Sequence, residues 1–131
     1  MNLTSTNIIV FDTTKFQLLL CEDSILNLHI KEDQYITISD VEQYYDLATQ
    51  LLPKKKYPVM HTIGIGASVD HDVREFASKN ERRISLADGL VIDNMANRIL
   101  ARFYIKFHKP KITTAIFTNK NDALEWLRKF I

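Results

Sequence analysis

Two short stretches near the start of the chain alternate between apolar and polar positions. Phe16, Leu18 and Leu20 recur at every second residue, and so do Leu26, Leu28 and Ile30. That period belongs to half-buried strands, and Glu22-Asp23-Ser24 between them is turn chemistry. A β-hairpin is predicted, preceded by an extended segment over residues 8–11. The period then changes. Val41, Tyr44, Tyr45, Ala48, Leu51 and Leu52 fall at helical spacing, and Pro53 ends the pattern. Ser39-Asp40-Val41-Glu42 at its start reads as a capping box with Ser39 as the N-cap. Lys54-Lys55-Lys56 follows as a solvated connection between Pro53 and Pro58.

The remainder alternates strand and helix. Residues 59–65, 89–92 and 112–117 are short apolar runs suited to buried strands. Residues 70–79, 94–107 and 120–130 carry helical patterns. A hairpin followed by alternating α/β units predicts an α/β fold with a mostly parallel sheet, right-handed crossovers and covering helices. The expected organisation is a single domain over residues 1–131.

Composition sharpens this picture in a few places. Seven Phe, five Tyr and one Trp against three Gly and three Pro in 131 residues describe an ordered core. A single cysteine excludes an internal disulfide framework and any Cys-rich zinc motif. A formal net charge of +1 argues against nucleic acid as a partner, because neutralising phosphates takes many cations. No run approaches the ~18–20 apolar residues of a membrane span. No basic segment precedes an early apolar stretch, and Asp12 interrupts that stretch. The cytoplasm is the expected location, with Cys21 as a free thiol.

The order of elements resembles the STAS-like superfamily, small α/β proteins similar to bacterial anti-sigma-factor antagonists, and within it the uncharacterised SpoIIAA-like branch. The residues that carry the resemblance begin with Lys56-Tyr57-Pro58-Val59 leading into the central strand, then Ala87 with Val91-Ile92. The long helix Arg98-Ile99-Leu100-Ala101-Arg102-Phe103-Tyr104 comes next. Lys109-Pro110, Phe117-Thr118-Asn119 and Asp122-Ala123-Leu124-Glu125-Trp126-Leu127 complete the set. These are packing and turn motifs, so they speak to fold more than to task. The resemblance implies a non-enzymatic interaction module. In such proteins a serine after the central strand is phosphorylated and controls docking, and the matching position here is Ser68. The chain departs from that pattern at Ala67, where an aspartate usually precedes the serine.

Candidate chemistry is sparse. A phosphate on Ser68 would sit near a helix start, where exposed amides favour negative charge; the plainer reading is that Ser68 or Asp70 caps that helix. Gly64-Ile65-Gly66 lacks the third glycine of a dinucleotide fingerprint, because Val69 stands there. Its glycines fit a sharp turn or a close approach instead. His61, Asp70, His71 and Asp72 do not have the spacing of a helical metal pair, and His61 reads as a partly buried, hydrogen-bonded histidine. Cys21 could face His29 across the hairpin; otherwise it is a buried filler.

Charge is distributed unevenly. Residues 1–73 hold five basic and ten acidic side chains, and residues 74–131 hold twelve and six. Arg98, Arg102 and Lys106 form one basic stripe on the long helix, flanked by Ala101 and Ile105. Ala96, Ile99, Leu100, Phe103 and Phe107 are expected to face the core. The stripe is either a solvated face or a docking surface for an acidic partner or a second copy.

No nucleophile–base–orienter set and no paired carboxylates can be assembled. The sequence therefore points to a regulatory protein–protein interaction module without catalytic residues, metal or cofactor. Its partner would be an unidentified protein or, in a homodimer, its own copy. The rival reading is a carrier or sensor of a small apolar, lipid-like ligand held between sheet and long helix, near Tyr44, Tyr45, Phe103, Tyr104 and Phe107.

Overall fold

The computed structural model describes residues 7–21, 24–79 and 84–131. The chain opens with β1 (Ile8–Asp12), β2 (Phe16–Cys21), β3 (Ile25–Ile30) and the two-residue β4 (Tyr35–Ile36), then enters α1 (Ile38–Leu51). It continues through β5 (Tyr57–Ile63), the two-residue β6 (Ser68–Val69), α2 (His71–Lys79) and β7 (Ser85–Val91). It closes with α3 (Met95–Phe103), β8 (Thr113–Phe117) and α4 (Lys120–Leu127). A turn of π-helix (Tyr104–His108) extends α3, and a short 3-10 turn (Arg128–Phe130) extends α4.

Six strands form one mixed sheet in the order β1-β2-β3-β5-β7-β8. β1, β2 and β3 pair antiparallel; β3, β5, β7 and β8 pair parallel. The α/β architecture read from the pattern is present, with the hairpin at β2–β3 and the early extended segment as β1. The turn at Glu22-Asp23 lies outside the described residues. β4 and β6 make a separate parallel ribbon that two-residue strands cannot announce by periodicity.

Alternation along the strands sorts the side chains between two cores. Leu18, Leu26, Leu28, Ile30 and Val59 pack under Tyr44, Tyr45 and Ala48 of α1. Ile25, Met60 and Ala87 point to the opposite face and meet Ala123 and Leu127 of α4. Leu51, expected on the apolar stripe of α1, is exposed at the helix end.

The start of α1 corrects the sequence reading. Thr37, not Ser39, is the N-cap, and Asp40 takes the role expected of Glu42. The Asp40 carboxylate accepts from the Thr37 backbone N–H at 2.9 Å and from its hydroxyl at 3.0 Å. Lys15 Nζ, from the hairpin, reaches the same carboxylate at 2.8 Å. Burial pushes the Asp40 carboxyl up, but the hydrogen bonds from Lys15 and Thr37 outweigh it and hold the group below its ordinary value.

The register also separates Cys21 from His29. Cys21 lies opposite Ile25, whereas His29 lies opposite Gln17. His29 Nδ1 instead meets Thr62 Oγ1 at 2.8 Å, and Asn27 donates to the same Thr62 oxygen at 3.1 Å. Gly64 and Gly66 serve the backbone. A Cβ on Gly64 would come within 2.6 Å of the Glu32 nitrogen, and Gly66 has φ of +79°. The close approach is thus between two chain segments, not between helix and strand.

Candidate functional site

A groove of about 260 Å³ runs between the sheet and α1, α2 and α3. Its floor is the β3–β5–β7 face carrying Leu28, Ile63 and Leu90; Tyr44, Val73 and Leu100 are among the helical side chains that wall it. It exists because α3 does not fill the space beneath it. Only the small Ala101 of that helix is buried, at 8% exposure. Phe103 and Phe107 are 57% and 61% exposed and stack on each other at 4.9 Å on the outer side.

The orientation of α3 is therefore the reverse of the expectation. Met95, Ile99, Leu100, Phe103 and Phe107 are exposed, and Ala96 with them. Ala101 is buried and Ile105 half-buried, so these two do not flank an open docking stripe. The helix has apolar residues on two sides, and the side with the smaller residue at its centre is the one against the sheet. Of the basic stripe, Arg98 is half-buried while Arg102 and Lys106 are exposed. Lys106 Nζ sits 5.5 Å from the centre of the Phe107 ring.

Polar groups converge on the groove floor. His61 on β5 and Asp88 on β7 are diagonal neighbours, since Val59 pairs with Asp88 and His61 with Leu90. His61 Nε2 lies 2.9 Å from Asp88 Oδ1. Asp88 is only 2% exposed, and a carboxylate so deeply buried requires hydrogen-bonding partners of this kind. Both side chains line the groove, as does Arg74 of α2. Arg74 Nη1 donates to the Val69 carbonyl at 2.6 Å. A guanidinium has five N–H donors, so further donor capacity stays with this side chain.

The remaining candidates are dispersed. Ser68 is exposed, sits in β6 and donates its backbone N–H to the Gln34 carbonyl at 2.9 Å. It does not cap α2: the Asp70 carbonyl accepts from Val73 and Arg74, placing Asp70 at the helix start and Ser68 two residues before it. Ser68 does contribute to the groove wall. His71 lies at the start of α2, where its ring meets that of His108 at 5.6 Å and its Nε2 is 3.7 Å from Glu75. His61 is paired elsewhere, and among the described residues no group of three or more His, Cys, Asp or Glu is placed to hold a metal ion. Among the same residues no helix is long and apolar enough to cross a membrane.

Asp88 is the residue that sequence reasoning missed. The strand was expected to begin at Gly89, one position too late to include it. The available signal was a lone carboxylate in the otherwise apolar run Leu86-Ala87-Asp88-Gly89-Leu90-Val91.

Comparison with known proteins gives fold and family. No curated protein matches the chain. A protein of unknown function from Arthrobacter sp. FB24 aligns over 85% of this chain and 97% of its own at 22% identity, with a TM-score of 0.30. An uncharacterized protein of the DUF3478 family from Shewanella loihica PV-4, described as having a SpoIIAA-like fold, aligns over 86% of this chain and 91% of its own. Its TM-score is 0.53 at 16% identity, so the likeness is one of fold. The fold of this chain is SpoIIAA-like, as the resemblance implied. Residues 19–131 match the family described as "Domain of unknown function (DUF7793)", and the chain belongs to that family.

Proposed function

We propose that this chain is a non-enzymatic binding module whose sheet–helix groove takes a small, largely apolar ligand, as a carrier or sensor. The groove beneath α3 carries this reading. At ~30 Å³ per water in the liquid, its volume equals roughly nine waters, which admits a ligand on the order of ten non-hydrogen atoms. Apolar walls with a few convergent polar groups are the usual form of such a site. α3, which buries only Ala101, covers the groove without filling it. The test is a titration with 1-fluoro-4-propylbenzene followed by backbone amide NMR. Shifts are expected at Leu28, Leu90 and Leu100 in the wild type and not in Ala101→Leu, which fills the groove. An absence of saturable shifts in the wild type removes the reading.

A second reading, regulation through protein–protein contact, draws on the outer face of α3. Met95, Ile99, Phe103 and Phe107 recur every four residues and are exposed, beside Arg98, Arg102 and Lys106. Complementarity with the acidic first half of the chain favours a second copy as the occupant. Ser68, exposed at the groove wall, is the modification site this reading would use. Sedimentation should then show a concentration-dependent dimer that Phe103→Glu dissociates; a monomer at all concentrations rejects the homodimer.

A further inference from the structure

The His61–Asp88 pair gives the groove a chemical preference, and we infer that its ligand carries a hydrogen-bond donor, a hydroxyl on an apolar body, that bonds His61 Nδ1. The inference rests on the groove reading above and goes beyond it by naming the head group.

Asp88, 2% exposed, sets the chemistry of the pair. A buried carboxylate accepts hydrogen bonds and cannot donate one while ionised. Facing it at 2.9 Å, His61 Nε2 is the ring nitrogen placed to donate to that carboxylate. A histidine whose Nε2–H is held in this way presents Nδ1 as a bare acceptor, because the partner of one ring nitrogen sets the tautomer of the other. Nδ1 is the ring nitrogen that does not meet Asp88, and among the described residues it has no hydrogen-bond partner. The side chain lines the groove and retains 21% exposure.

His29 sits on the other face of the sheet with its Nδ1 already engaged by Thr62. There the polar atoms satisfy one another. In the groove, His61 Nδ1 has no such partner among the described residues, and it lies on a floor shared with Leu28, Ile63, Leu90 and the buried Asp88. A carboxylate head group would face Asp88 across the ring, whereas a neutral hydroxyl would complete the hydrogen bonding without adding charge.

Three probes of similar size separate the outcomes: 4-propylphenol, 1-fluoro-4-propylbenzene and 4-propylbenzoate, each titrated into wild type and His61→Leu by amide NMR. The phenol is expected to bind wild type roughly 5- to 10-fold more tightly than the fluoro analogue, as one net hydrogen bond allows. His61→Leu should bring the phenol down to the level of the fluoro analogue. Side-chain 15N NMR of wild type provides a check that does not depend on the variant folding. It should show Nε2 protonated, Nδ1 unprotonated, and Nδ1 moving when the phenol binds. Equal binding of phenol and fluoro analogue overturns the donor preference while leaving the groove reading intact. Tightest binding of the benzoate, or a protonated Nδ1 in the free protein, overturns it in favour of an imidazolium that receives anions. Failure of all three probes to bind overturns the groove reading and this inference together.

Discussion

The two faces of the sheet solve the same packing problem differently. Under α4, Ala123 and Leu127 are completely buried against Ile25, Met60 and Ala87. Trp126 extends the cover by packing between the rings of Phe117 and Phe130, at 5.5 Å and 4.8 Å. Polar residues on that face are spent internally, with Asn27, His29 and Thr62 bonded together. Under α3 the only buried residue of the helix is an alanine, Met95, Ile99 and Phe103 are exposed, and a groove with a His–Asp pair is left on the sheet. One face is filled beneath its helix, and the other keeps a groove beside the core that α1 covers. Their responses to mutation should differ accordingly.

The largest contrast is expected from truncation. Leu127→Ala should cost about 2–5 kcal/mol, because it removes a fully buried side chain and leaves a cavity. Leu100→Ala, from a half-exposed position on the groove wall, should stay within about 0.5 kcal/mol. Urea unfolding of both variants checks the pair, and equal losses would mean that α3 is packed as tightly as α4.

Enlargement should split the faces in the opposite way. Ala123→Leu should cost about 1–3 kcal/mol by overpacking a filled core. Ala101→Leu projects into existing space and is expected to be neutral or to raise the thermal midpoint, while abolishing probe binding. Thermal melts of the two variants decide this, and a matching loss for Ala101→Leu would break the comparison.

The smallest expected effect is one of pH on the closed face. Burial foremost, with Lys120 and Lys31 adding to it, holds the His29 imidazole below its ordinary value. The unfolded chain therefore binds this proton more readily than the folded one. Stability from His29 is fully present above the ordinary value of 6.5, and it declines as pH falls through the lowered folded value. Melts between pH 8 and pH 5 should show a flatter profile for His29→Gln than for wild type. An unchanged slope would mean that the histidine does not report on closure of this face.

Legibility in the sequence followed the range of the interaction involved. The capping box shows this at small scale. Thr37-Ile38-Ser39-Asp40 and Ser39-Asp40-Val41-Glu42 are both acceptable starts for a helix. Asp40 wins as the N3 residue in a setting that includes Lys15, a partner 25 residues away on the hairpin. Cys21 and His29 were similarly brought together by proximity in the chain and separated by register. The groove candidate was visible as aromatics near the long helix, but Phe103 and Phe107 belong to its outside, not to its lining.

By itself the sequence determined the kind, order and approximate limits of the longer elements. Those depend on periods of two or about 3.6 residues that each segment carries internally. It also marked His61 as a hydrogen-bonded histidine, without naming the partner. Only the tertiary structure decided which apolar side α3 turns to the sheet, because a helix apolar on two sides has no local preference between them. It alone set His61 diagonal to Asp88, because strand register depends on distant segments meeting. The fold was local information repeated along the chain, and the candidate site arose where non-local choices intersected.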